Sequence, residues 1–116
     1  MDDRTNKWLE GILIAIDEVD DFFEMLPKKY DTFVSNLLLR RAVERNIEII
    51  GEAMSRVLKY DSTISINSAR KIVDAWNYVR NYVTYSSDSL TADILWSVVI
   101  NHLPTLRVEI QDVLKQ

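Results

Sequence analysis

The stretch TFVSNLLLRRAVERNIEIIGEAMSRVLK, residues 32–59, decides the fold class. It contains no proline, and its apolar side chains recur every three or four residues, as they do on one face of an α-helix. This spacing predicts one long amphipathic helix. Its predicted apolar stripe consists of Leu37, Leu38, Val43, Ile47, Ile50, Met54, Val57 and Leu58.

Gly51 lies inside this predicted helix. A glycine in the middle of a helix costs about 1 kcal/mol relative to alanine. Two interpretations stay open at this stage. Either a neighbouring helix approaches closely at this point and leaves no room for a side chain, or the glycine is a tolerated defect.

The same apolar spacing predicts further helices on both sides of this stretch. Residues 5–26 form the first predicted helix, and residues 68–84 and 90–102 form the third and fourth. Pro104 fits either a kink or the first turn of a fifth helix. Short connections join these segments, so the sequence predicts an all-α fold, an up-down bundle of four to five helices in one domain over residues 1–116.

Polar residues that can cap helices stand near the predicted starts. Asp31 or Thr32 is suited to cap the second helix, Asn67 or Ser68 the third, and Ser89 the fourth. The tryptophans need no special role, because all three fall on apolar stripes. We expect them to be core or interface residues rather than platforms for a ligand. They are Trp8, Trp76 and Trp96.

Composition excludes several classes of protein. The chain has 116 residues and no cysteine, which excludes disulfides, thiolate metal sites and a cysteine nucleophile. Its N-terminus is acidic and lacks the pattern of a signal peptide, and no apolar run approaches the roughly 18 residues that span a bilayer. We therefore expect a soluble, cytoplasmic protein that does not enter a membrane.

The net charge of −4 is unevenly distributed. Residues 1–36 carry four basic and nine acidic side chains, whereas residues 37–80 carry eight basic and five acidic ones. An acidic protein is a poor general binder of nucleic acids, because phosphate contacts require Lys and Arg. The basic middle segment is interpreted either as a solvated helix face or as a local nucleic-acid surface.

Most catalytic templates are missing. Two glycines cannot build a phosphate-binding loop, and the single histidine, His102, stands alone and is expected to be structural. Glu44 and Glu48 recur on the second helix, but no Glu-x-x-His motif accompanies them. We expect them to form surface pairs with Arg41 and Arg45, so the sequence predicts neither a metal ion nor a cofactor.

Three blocks of sequence point to a known family. They are RRAVERNIEIIGEA (40–53), VDAWNYVRNYVTY (73–85) and ILWSVVINHLPTL (94–106). In this order and spacing they resemble the HepT-like branch of the HEPN superfamily, over nearly the whole chain. The resemblance implies a small helical protein that is the toxin half of a bacterial toxin–antitoxin pair. It also implies a homodimer with a shared cleft, and a minimal nucleotidyltransferase as the antitoxin partner.

The family motif consists of an Arg, a polar residue, a His four to six residues after the Arg, and often a Tyr two residues further on. It implies cleavage of RNA without a metal ion. The pattern maps onto Arg80 and Asn81, with Tyr85 at the His position and Ser87 at the Tyr position. In some systems of this family, the partner silences the toxin by adding AMP to the motif tyrosine, and that position is Ser87 here.

Two functional hypotheses follow from the resemblance and the altered motif. In the first, the chain is a HepT-like ribonuclease toxin in which Arg80 stabilises charge and Tyr85 stands in for the base. Asn81 then either hydrogen-bonds a phosphate or orients its neighbour. In the second, it is a catalytically inactive HEPN homodimer that binds a nucleotidyltransferase partner or a nucleotide. Without the resemblance, Arg80 and Asn81 would be interpreted as structural residues near a helix C-terminus. A plain helical oligomerisation module is the third interpretation.

Overall fold

The computed structural model of the chain describes residues 1–82 and 88–116. These residues form α-helices and one π-helical turn, with no strand among them. The elements are α1 (Asp3–Phe22), α2 (Tyr30–Ser35), α3 (Leu37–Tyr60), α4 (Ala69–Tyr82), α5 (Asp88–Ser97), the π-turn (Val98–His102) and α6 (Leu103–Lys115).

The sequence predicts one continuous helix over residues 32–59. That prediction is wrong, because Asn36 divides this stretch into α2 and α3. The backbone of Asn36 is extended, and its side chain accepts a hydrogen bond from the Leu39 N–H at 2.9 Å. An Asn side chain that bonds the backbone two or three residues on competes with helical hydrogen bonding, and Asn is therefore favoured at helix N-caps. Neither Asp31 nor Thr32 caps α2, which begins after Lys29 without a side-chain cap.

Long antiparallel helices make up the body of the bundle. The ring of Trp8 near the start of α1 meets the ring of Tyr60 at the end of α3, with centroids 5.8 Å apart. Near the middle of both helices, the buried Asn46 donates to the Ala15 carbonyl and to the Glu18 carboxylate, each at 3.0 Å. These contacts fix α1 and α3 in opposite directions.

A second layer of the bundle is formed by α4 and by the continuous path through α5, the π-turn and α6. Ser97 and Leu103, which flank the π-turn, both have right-handed helical backbone angles. Pro104 lies in the first turn of α6, so the second of its two predicted interpretations is confirmed. Because a proline has no N–H and its ring crowds the carbonyl four residues earlier, the backbone before it widens into a π-turn.

One core lies between the helices. All of the predicted stripes contribute to it, and the residues with the largest fully buried side chains are Phe33, Leu9, Ile12, Ile16, Ile47, Ile50, Met54, Ile72, Leu95, Leu106, Ile110 and Val19. Trp76 is buried, and Trp8 and Trp96 pack partly buried against the core, as the sequence predicts. The fold class predicted from the sequence, an all-α bundle, is confirmed.

The predicted apolar stripe of the long helix is wrong at Leu37 and Leu38. They are 54% and 81% exposed, whereas Leu39 is buried and begins the inward face of α3. Once Asn36 caps the helix, Leu39 and Val43 stand one turn apart on the inner side, and the two preceding leucines point elsewhere. Two of the eight residues assigned to the core from spacing therefore lie on the surface.

Candidate functional site

The start of α4 is fixed by a carboxylate from α6. The side chain of Glu109 accepts hydrogen bonds from the N–H groups of Asn67 and Ser68 and from the Ser68 hydroxyl. Charged acceptors are favoured at a helix N-terminus, where backbone N–H groups have no partner in the helix. The helix begins at Ala69, directly after the predicted cap Ser68, and its first turn is tied to the C-terminal helix.

The middle of α4 packs closely on α3 at Gly51. A Cβ placed on Gly51 would lie 2.7 Å from the Cβ and 2.9 Å from the Cγ of Trp76. Optimal carbon–carbon contacts are about 3.5–4.0 Å, so no side chain fits at this position. The close-approach interpretation of Gly51 is confirmed. This contact sets the distance of α4 from α3, and with it the position of the helix end that carries the motif.

Arg80 and Asn81 lie in the last turn of α4, and both side chains are exposed. Within the described part of the chain, Arg80 makes no ion pair. Successive helical residues are about 100° apart, so the two side chains leave the helix in different directions from one end. The guanidinium and the amide are available to a ligand that approaches this end of the bundle.

The remaining motif positions lie outside the described residues. Tyr85 and Ser87, predicted at the His and Tyr positions of the family motif, fall between the end of α4 and the start of α5. The predicted cap Ser89 is already helical, because α5 begins at Asp88. Of the three predicted site residues, the structure therefore places two, Arg80 and Asn81, at consecutive positions in the last turn of α4.

Two acidic side chains on α3 are paired within that helix. Arg41 binds Glu44 at 3.1 Å and Arg45 binds Glu48 at 3.0 Å, each across three residues. Surface pairs at this spacing were predicted, and they are confirmed. Arg41 and Arg45 thus neutralise these two glutamates within α3, and Arg80 does not.

His102 ends the π-turn and is half-buried. Burial lowers its pKa below the ordinary value near 6.5, and the ammonium group of Lys71 lowers it further. Lys71 precedes Arg80 by nine residues of α4, or about 13 Å at 1.5 Å per residue. His102, which lies near Lys71, is thus two to three turns of α4 away from Arg80. It does not replace the motif histidine within one chain.

No alternative metal site is found on the rest of the described surface. In residues 1–82 and 88–116, no group of three or more His, Asp or Glu side chains is arranged to hold a metal ion. A polar cavity of about 570 Å³ lies beside Asp61, Glu109 and Asp112 at the opposite end of the bundle from Arg80. Its most engaged carboxylate, that of Glu109, already serves as the cap of α4.

Comparison with known families decides the assignment. A family model described as Ribonuclease HepT-like matches residues 12–113, which is most of the chain. The chain belongs to the HepT-like family. The match includes Arg80, Asn81 and the positions of Tyr85 and Ser87, and it confirms the resemblance inferred from the three sequence blocks. No curated protein and no solved structure matches the chain.

HepT-like proteins have the helical HEPN fold, and the bundle described above agrees with it. Among the described residues, none of the helices has the length and hydrophobicity that crossing a membrane requires.

Sequence reasoning missed one surface, the groove between the end of α1 and the start of α3. It has a volume of about 520 Å³. Met25 and Leu38, which line it, are the two most exposed large apolar residues described. Helical spacing placed Leu38 in the core, and only the cap at Asn36 reveals that it turns outward. An Asn directly before a run of three leucines was the one signal available in the sequence.

Proposed function

We propose that the protein is the toxin half of a bacterial toxin–antitoxin pair and cleaves RNA without a metal ion. Membership of a ribonuclease family supports the reaction class. The single observation that carries the proposal is that Arg80 and Asn81 are exposed at the end of α4, with no ion pair between Arg80 and any other described residue. They stand where the family motif has its Arg and its polar residue.

The chemistry assigns a role to each of these two side chains. In metal-independent cleavage, the ribose 2′-hydroxyl loses its proton and attacks the adjacent phosphate, and a negatively charged phosphorane forms. The P–O5′ bond then breaks, which leaves a 2′,3′-cyclic phosphate and a 5′-hydroxyl that takes up a proton from water. Arg80 carries a permanent charge on a planar fork of donors, so it can bind two phosphate oxygens and stabilise that charge. Asn81 donates a hydrogen bond to the same phosphate or to the neighbouring nucleotide.

The base that removes the proton of the 2′-hydroxyl is the weakest part of the motif. We align Tyr85 with the motif histidine. A tyrosine with a pKa near 10 is ionised in about one molecule in a thousand at pH 7. Loss of a general base costs on the order of 100- to 10,000-fold in rate. We therefore propose slow cleavage, in which the guanidinium groups of a homodimer favour the ionised tyrosine.

The homodimer is part of the same proposal. In it, the two copies bring the ends of their α4 helices together, and the RNA lies in the shared cleft. The exposure of Arg80 and Asn81 in the single chain supports this arrangement, because a composite site needs both side chains free. Sedimentation of the purified protein at micromolar concentration tests it. A strict monomer would refute the composite site.

The proposed partner is a minimal nucleotidyltransferase antitoxin encoded beside the toxin. Its binding blocks the cleft or modifies the toxin. Identification of such a gene next to this one, and recovery of a complex when the two are produced together, test this part of the proposal.

A second function is favoured by one observation, the tyrosine at the position of the motif histidine. It is that of a catalytically inactive homodimer, which keeps the HEPN scaffold and binds the nucleotidyltransferase partner or a nucleotide. The same Arg80 and Asn81 would then bind phosphate groups without cleaving RNA.

One experiment separates the two functions. RNA is incubated in a chelator with the unmodified protein, with Arg80→Ala and with Tyr85→His. Cleavage by the unmodified protein that disappears in Arg80→Ala supports the ribonuclease. No cleavage by the unmodified protein, together with cleavage by Tyr85→His, supports the inactive scaffold. Cleavage that persists unchanged in Arg80→Ala would contradict both, because neither assigns the reaction to another site.

A further inference from the structure

The groove between the end of α1 and the start of α3 presents more apolar surface than the fold requires. Met25 is 90% exposed and Leu38 is 81% exposed. Phe22, Leu26, Leu39 and Ala42 complete its described apolar lining. Single exposed apolar residues are ordinary, but a contiguous group that lines a concave surface marks an interaction site.

The packing of the bundle does not account for this surface. Asn36 caps α3, and Leu39 makes the inward contact at the first turn. Leu38 could be polar without any loss to the core, since it turns away from it. The same is true of Met25, which lies beyond the last residue of α1.

The charges at the groove are negative. Among the described residues, Asp21 is the only charged residue of its lining, and Glu24, which does not line it, follows three residues later in the sequence. Neither forms an ion pair with another residue that the structure describes. The ammonium group of Lys28 lies 5.9 Å from the centre of the Phe23 ring, and that ring does not line the groove.

These charges decide between the classes of occupant. A second copy placed on the groove by a two-fold axis would bring two Asp21 carboxylates into one interface, with no basic residue of the described lining to pair with either, because an isologous interface pairs each patch with itself. Nucleic acids and anionic lipid surfaces are repelled by the same carboxylates. A protein segment that combines apolar side chains with Lys or Arg matches both the shape and the charge.

We propose that this groove docks an apolar segment of a partner protein, flanked by Lys or Arg. In the toxin–antitoxin pair proposed above, that partner is the antitoxin, and in this respect the inference rests on the proposed function. The groove is separate from the side chains of Arg80 and Asn81, so the antitoxin is held by one surface while it acts at another.

The test measures the affinity of the neighbouring nucleotidyltransferase for the full-length protein by titration calorimetry. Leu38→Asp removes the apolar contact, and Asp21→Lys reverses the charge at the rim. Val108→Asp is the matched control, because Val108 is 54% exposed on α6 and does not line the groove. Circular dichroism establishes that each variant keeps its helices.

We expect Leu38→Asp and Asp21→Lys each to weaken binding by about tenfold or more, and Val108→Asp to leave it unchanged. Unweakened binding by Leu38→Asp would refute the docking site while leaving the toxin–antitoxin pair intact. An absence of binding by the unmodified protein would refute the pairing and the docking proposal together. Conversion of a dimer into a monomer by Leu38→Asp would show that a second copy occupies the groove, and would also refute the proposal.

Discussion

Replacement of Gly51 by alanine is expected to destabilise the protein, although alanine forms helices more readily than glycine. The gain in helix propensity is about 1 kcal/mol. Against it stands the new Cβ, which would lie 2.7 Å and 2.9 Å from the Cβ and Cγ of Trp76. These atoms lie next to the α4 backbone, so rotation of the indole does not relieve the clash and α4 must move.

Overpacking of this kind costs about 1–3 kcal/mol. Because the contact is well inside the optimal distance and involves a buried residue, we take the upper half of that range, and the net destabilisation is about 1–2 kcal/mol. The assay is urea denaturation followed by circular dichroism, with the free energy of unfolding extrapolated to water.

Gly11 supplies the matched control. It also lies inside a helix, α1, but a Cβ at this position would meet no atom within 4 Å. Gly11→Ala should therefore stabilise the protein by about 0.5–1 kcal/mol. A Trp76→Ala background removes the ring but keeps the Cβ that lies 2.7 Å away, so Gly51→Ala should still be destabilising there, by less than in the unmodified protein. If Gly51→Ala stabilises the unmodified protein as much as Gly11→Ala does, the close packing of α3 and α4 argued above is wrong.

Three further predictions concern the contacts between the helices. Asn46→Asp replaces a buried hydrogen-bond donor by an acceptor that faces the Glu18 carboxylate. It should lower the free energy of unfolding by roughly 2–3 kcal/mol at pH 7. A loss under about 1 kcal/mol would contradict the contact. Glu109→Gln leaves the N–H groups before α4 with a weaker acceptor. It should lower the free energy of unfolding by about 1–2 kcal/mol in the same denaturation assay. The control Val108→Asp changes an exposed neighbour and should lower it little. His102 has a pKa below its unfolded value near 6.5, so the unfolded state binds more protons, and stability should fall as the pH drops through 6.5 towards the folded pKa. Denaturation at pH 7.5 and 5.5 should show a smaller pH dependence in His102→Asn; an unchanged pH dependence would exclude His102 as its source.

The fold was predictable because it depends on local patterns. Apolar spacing located the long helices, and of the two interpretations left open for Pro104 the first turn of a further helix is confirmed. Spacing alone did not reveal the break at Asn36, because apolar residues continue at helical intervals on both sides of it. Leu38 was misassigned for the same reason, since a surface leucine next to a core leucine has the same hydrophobicity.

The candidate site was predictable only in part. The order of residues predicts Arg80 and Asn81 as site residues, and the structure adds that both are exposed at the end of one helix. The reason for Gly51 could not be deduced from sequence, because it depends on a tryptophan 25 positions later that meets it across two helices. Surfaces that bind another chain are equally hidden, since their apolar residues fit a helical stripe as well as core residues do.

The most direct test of the proposed site is the affinity for a short single-stranded RNA whose 2′-hydroxyls are methylated, so that it cannot be cleaved. The unmodified protein, Arg80→Ala and Arg70→Ala are compared by fluorescence anisotropy at constant salt. Arg70 is exposed near the other end of α4 and is the matched control. We predict that Arg80→Ala weakens binding by about tenfold or more, as the loss of a charged hydrogen bond requires, and that Arg70→Ala changes it by about twofold or less. Equal affinity of Arg80→Ala and the unmodified protein would contradict the assignment of this end of α4 to RNA.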